Sequence, residues 1–201
     1  MGIRAGWGGW AGGTLYGDYI GYGLFGDWVL EPISGVVEPA AITCANATWQ
    51  CKGGVPKGTT AHELGHAFGL HHPDGYPGKT IMRWHGDYPD TGFLSHEVLI
   101  LHNSPFFVPH AFDERAPWLD FEIADVAHWG ETLKLTGHGL HAGDEIEFVD
   151  AWHAARVRPE LTSDHEGQVR VPEGMGPGFI RARRGRLRGN AVPINLYPPK
   201  K

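Results

Sequence analysis

The chain is short of positive charge, of cysteine and of long apolar runs, and each shortage removes a class of protein. Its 17 lysines and arginines face 23 aspartates and glutamates, a formal charge of -6, and neither half is basic overall, which argues against a general nucleic-acid binder. No apolar stretch is long enough to span a membrane, and the opening residues MGIRAGWGGWAGG hold no continuous apolar core of the signal-peptide kind, so a soluble protein is expected. Only two cysteines occur, Cys44 and Cys51, close together in a Gly-rich stretch. They suit one local disulfide in an oxidising compartment, with two free thiols as the alternative. Such a pairing points to a secreted or extracytoplasmic protein.

What is present belongs to a folded chain. A hydrophobic content of 41% is ordinary for a globular protein, while 30 glycines and 15 prolines suggest short elements, many turns and few long helices. Between Val55 and Leu70 the residues Ala61, Leu64, Ala67 and Phe68 recur at helical spacing, which predicts the main helix, with Gly69 as its stop. A second helix is expected from the N-cap candidate Ser95 to a point before Pro105. Beyond Pro109 the period changes to two: Leu133 and Leu135, Ile146 and Phe148, Val169 and Val171, Ile180 and Ala182, then Val192, Ile194 and Leu196. Glycine, proline and aspartate separate these runs, so an antiparallel β-sandwich is predicted over residues 117–201.

The chemistry gathers in residues 62–72, HELGHAFGLHH. His62 and His66 are one helical turn apart, so both imidazoles project from one face and can hold a single metal ion. Glu63 lies beside them. Gly69 lets the chain leave the helix through a left-handed turn and bring His72 round as a third ligand, with His71 the less well spaced alternative. Three protein ligands and an open fourth position for water make the arrangement of a catalytic zinc. The plain structural alternative is a capping box, Thr60-x-x-Glu63.

HExxHxxGxxH followed by a methionine turn is the signature of the metzincin metalloendopeptidases, and the chain resembles that clan at His62, Glu63, His66, Gly69, His72 and Met82, over about residues 7–108. The resemblance implies an α+β fold. A short zincin-like catalytic domain over 1–112, with a small sheet, an active-site helix and a C-terminal helix, would precede the β-sandwich of 117–201. It also implies one catalytic zinc ion on His62, His66 and His72, with Glu63 as acid and base and Met82 beneath the metal. In that clan the substrate adds to a sheet edge as an extended strand. Gly8, Gly9, Trp10, Ala11 and Gly12 are the candidate rim, and a plain Gly-rich turn fits them equally. The chain departs from the clan in three places, one being that no inhibitory propeptide with a zinc-blocking cysteine is recognisable. Trp84 stands two residues after Met82, where some members have a tyrosine that binds metal or oxyanion, which leaves Arg83, His85 and Tyr88 as candidate oxyanion stabilisers. Only 61 residues precede His62, fewer than is usual there. Separately, GETLKLTGHGLHAGDEIEF over 130–148 is similar to the opening of an immunoglobulin-like domain of the IPT/TIG type, a likeness of fold alone.

The expectation is therefore a zinc endopeptidase acting on a protein or peptide substrate, without a nucleic-acid partner, whose C-terminal domain binds a protein or surface partner. The alternatives are a zinc hydrolase of a non-peptide amide and a non-catalytic, zinc-stabilised binding or adhesion protein. Arg181, Arg183, Arg184, Arg186 and Arg188 crowd one hairpin and read as a solvated loop ahead of a contact for an anionic surface. His128, His138, His141, His153 and His165 lack metal-ligand spacing and read as surface residues.

Overall fold

The structure, a computed structural model, describes residues 9–14, 20–25, 29, 55–73, 75–104, 106–108, 112–120 and 123–200. Apart from a short stretch before Ile20, the chain divides into two compact units, one ending at Leu94 and the other beginning at Ser95. Among the described residues, no helix is long and apolar enough to cross a membrane.

In the first unit, β1 (Gly9–Thr14) and β2 (Ile20–Phe25) form an antiparallel pair in register from Gly9 opposite Phe25 to Thr14 opposite Ile20. Helix α1 (Val55–Ala67) packs on both strands, and a single turn of 3-10 helix, η1 (His85–Asp87), packs on α1. The helix is where the sequence places it, but its buried face is unusual. Thr59, His62, Glu63 and Ala67 are buried, whereas Leu64 is 40% exposed. A surface helix ordinarily buries its apolar stripe. Here three of those four buried residues are polar. At the helix end the Gly69 N–H donates to His66 O at 3.0 Å and the Leu70 N–H to Gly65 O at 2.9 Å. With Gly69 at φ 95° these bonds make a Schellman cap, which turns the chain sharply without the steric cost of a Cβ.

Among the described residues, the second unit holds α2 (Ser95–Leu101) and ten strands in two sheets. The strands are β3 (Trp118–Leu119), β4 (Val126–His128), β5 (Thr132–His138), β6 (Glu145–Asp150), β7 (Ala154–Val157), β8 (Glu160–Leu161), β9 (Glu166–Arg170), β10 (Gly178–Arg184), β11 (Leu187–Arg188) and β12 (Val192–Tyr197). One sheet runs β4-β12-β10-β6-β7, with β11 added on β10; the other runs β3-β5-β9-β8. Inward residues from both sheets, among them Leu133, Leu135, Ile146, Phe148, Val169, Ile180 and Ile194, share one core. These are the positions the period-two pattern selected. The sheets are not wholly antiparallel, since β12 pairs with β4 in parallel, Asn195 opposite Val126. The chain crosses from β3 in one sheet to β4 in the other, and β4 enters beside the last strand running the same way. Asn190 ties the sheet corner by accepting from Leu119 N at 2.9 Å and donating to Leu119 O at 2.7 Å.

Two expectations change here. The helix of residues 95–101, which the resemblance places in the catalytic part, belongs to the second unit and packs on β10. The arginine-rich hairpin is not a solvated loop: Arg181 and Arg183 are buried. Glu147, itself buried, stands opposite Arg181 on β10 and opposite Arg156 on β7. It receives hydrogen bonds from Arg181 Nε at 2.6 Å, Arg183 Nη1 at 2.5 Å and Arg156 Nε at 3.1 Å. Arg184 pairs with Asp144 through Nε at 2.8 Å and Nη2 at 2.9 Å. Buried charges persist only when paired and hydrogen-bonded in this way.

Candidate metal centre

His62 and His66 leave one face of α1, and the Gly69 turn returns the chain so that His72 joins them. The three Nε2 atoms lie 3.1 Å (His62 to His66), 3.0 Å (His66 to His72) and 3.2 Å (His62 to His72) apart. These three residues form the one group of three or more ligand-type side chains among the described residues that is close enough to hold a metal ion. His72, not His71, completes the set.

Hydrogen bonding fixes which nitrogen faces inward. The Nδ1–H of His62 donates to Ile81 O at 2.7 Å and that of His66 to Leu70 O at 2.8 Å. A carbonyl can only accept, so both Nδ1 atoms carry the proton and both Nε2 atoms present lone pairs to each other. Burial pushes His62 down to about 4, against a smaller upward effect of the Ile81 bond and with repulsion from the other histidines adding to the fall. Burial likewise lowers His66, opposed by its bond to Leu70, and lowers His85. Neutral imidazole is the metal-binding form. The lone pairs of His62 and His66, turned toward each other, are what a cation would resolve.

Other residues stand near the three histidines. Glu63 follows His62 on α1, is only 7% exposed, and has its carboxyl pushed up by burial. Met82 is fully buried against the helix: a Cβ on Gly65, which lies between His62 and His66, would stand 2.3 Å from its Sδ. The His85 ring centroid is 5.5 Å from that of His62, and the exposed Trp84 stacks on His85 at 5.1 Å. Arg83, considered from sequence as an oxyanion stabiliser, turns instead to main-chain carbonyls of Pro73, Tyr76 and Gly78. Of the candidate rim, Gly9, Trp10, Ala11 and Gly12 lie on β1, paired with Phe25, Leu24, Gly23 and Tyr22. Gly8, Cys44 and Cys51 lie outside the described residues. In the second unit, His138 and His165 bring their Nδ1 atoms within 3.2 Å, and His165 also lies 3.1 Å from Gly137 O.

The three histidines that cluster were legible in the sequence, whereas the carbonyls of Ile81 and Leu70 and the hydrogen bonds of Arg83 were not. Backbone oxygens leave no mark in a sequence. Arg83 was visible only as a cation beside Met82.

No family model matches the chain, and no curated protein matches it. Among solved structures it is similar to the gamma-CGTase of Alkalophilic bacillus clarkii, at 18% identity and a TM-score of 0.34, over 40% of this chain and 12% of that one. It is also similar to a DUF4784 family protein of Bacteroides caccae ATCC 43185, at 11% identity and a TM-score of 0.30, over 42% of this chain and 24% of that one. The chain spans well under two thirds of either protein's length.

Proposed function

We propose that this protein is a zinc-dependent endopeptidase. The observation that carries the reading is the triangle of Nε2 atoms at 3.0–3.2 Å, beside a buried glutamate on the same helix. Tetrahedral zinc, with Zn–N of about 2.0–2.1 Å, sets its nitrogen ligands about 3.3–3.4 Å apart, so the triangle needs only a slight expansion to receive it. His62, His66 and His72 would hold the ion and leave one side open, since His72 is exposed. A zinc ion there supplies Lewis acidity, lowering the pKa of water to about 7 and polarising a carbonyl. Glu63 accepts the proton of the attacking water and passes it to the amine that leaves when the C–N bond breaks. The Nδ1 bonds to Ile81 and Leu70 keep both rings from turning away. An extended peptide is favoured over other amides because β1, among the described residues, is paired along one edge only.

The test is zinc content and cleavage of an unfolded protein by the purified chain, beside Glu63→Ala and a chelator control. The expected result is about one zinc per chain, chelator-sensitive cleavage, and an inactive Glu63→Ala that still binds zinc. Zinc without cleavage would sink the peptidase reading and leave a zinc-stabilised binding protein. Cleavage surviving Glu63→Ala would overturn the assigned role of the glutamate.

A further inference from the structure

We propose that Arg83 is the positioning residue for His72, the ligand that lies outside the helix. The inference rests on the metal-centre reading above. His62 and His66 stand on α1, and each ring has its own carbonyl anchor, Ile81 O and Leu70 O. His72 has no helix beneath it. It opens a segment, 72–79, that is exposed at His72, Gly75 and 77–79 but buried at Pro73, contains neither helix nor strand among its described residues and carries Gly75 and Gly78 at positive φ.

That segment is gathered by one guanidinium. Arg83 Nη1 donates to Gly78 O at 2.5 Å, and Nη2 donates to Pro73 O at 2.8 Å and to Tyr76 O. Pro73 follows His72 directly and its ring locks φ, so holding the Pro73 carbonyl restrains the residue on which the third imidazole's backbone rests. The planar fork of arginine suits several carbonyls at once, whereas a lysine ammonium is a single point of attachment on a flexible stem. Arg83 itself is held in the turn after Thr80, its N–H donating to Thr80 O at 3.2 Å. Three consecutive residues thus address three parts of one site: Ile81 orients His62, Met82 fills the space at Gly65, and Arg83 sets the segment of His72.

Groups that hydrogen-bond a ligating histidine typically change metal affinity by about 10- to 100-fold, and a residue that holds the ligand's neighbouring backbone is expected to act at about the lower end of that range. The experiment is a double-mutant cycle read as zinc affinity by chelator competition, with the cobalt-substituted absorption spectrum as a second readout. Arg83→Met, which keeps the stem and removes the donors, is expected to weaken zinc at least about tenfold and to shift the cobalt spectrum toward that of His72→Ala. Arg83→Lys should fall between Met and the native residue, and it carries the same cycle if Arg83→Met does not fold. In a His72→Ala background the Arg83 substitution should have no further effect on affinity. Unchanged affinity in Arg83→Met, or equal losses in both backgrounds, would overturn the proposal. A native chain that binds zinc but cleaves nothing defeats only the peptidase reading, whereas one with no zinc affinity defeats both.

Discussion

A Cβ placed on Gly65 would lie 2.3 Å from Met82 Sδ and 2.9 Å from its Cε, and Met82 is fully buried. Replacing an interior helical glycine with alanine ordinarily stabilises a protein by about 0.5–1 kcal/mol. Here the methionine must move within a packed interior, and overpacking costs about 1–3 kcal/mol. Gly65→Ala is therefore expected to lower the urea unfolding free energy by about 1 kcal/mol, the reverse of the propensity rule. The loss should shrink in a Met82→Ala background, where the space is vacated. A stabilised Gly65→Ala would show that Met82 does not pack there. At this scale the sequence was informative where chemistry depends on residue type at local spacing. His62, His66, Gly69 and His72 were legible because a helix and a glycine turn relate them within eleven positions. The contact between Gly65 and Met82 joins positions seventeen apart, and neither residue type announces it.

Among the elements, β6, β7 and β10 carry the buried charge. Glu147 is only 3% exposed and joins Arg181, Arg183 and the half-exposed Arg156. Burial pushes its carboxyl up, but hydrogen bonds from Arg183, Arg181 and Arg156 and the Arg181 charge outweigh that and hold it below the ordinary 4.5. A carboxyl depressed in the folded state contributes stability above its unfolded pKa, and that contribution is lost as pH falls through the folded value. The unfolding free energy should thus hold steady, as far as this group decides it, above about pH 4.5 and decline below it. Glu147→Gln leaves two buried guanidiniums without their anion and should cost about 3–5 kcal/mol at neutral pH, with a shallower acid decline. Equal acid slopes in the two proteins would remove Glu147 from that role. The five strands with clear alternation were legible as β5, β6, β9, β10 and β12. The short strands β3, β4, β8 and β11, and β7 with its weak Ala155–Val157 signal, were not, because two to four residues are too few to display a period.

For the molecule as a whole, the clustered core of the second unit runs, among the described residues, from Leu119 to Leu196, which predicts that this unit folds by itself. Its outer face is covered as well. The row Phe179, Arg181 and Arg183 on β10 is buried although it points away from the shared core, and α2 packs on β10 with Ile100 buried. A fragment of residues 95–201 should therefore unfold cooperatively and at higher denaturant than a fragment of 117–201, which loses that cover. Equal midpoints would place the boundary after the helix. The sequence by itself determined what repeats or is spaced locally: α1, the alternating strands, and three imidazoles with a glutamate at one helix end. The tertiary structure decided which ring nitrogens face inward, through the carbonyls of Ile81 and Leu70. It also decided that Arg83 gathers the segment of His72, and that Arg181 and Arg183 of β10 are buried against Glu147. Periodicity is written residue by residue along a chain. Carbonyl directions, close backbone approach and the pairing of buried charges across strands arise only when distant segments meet.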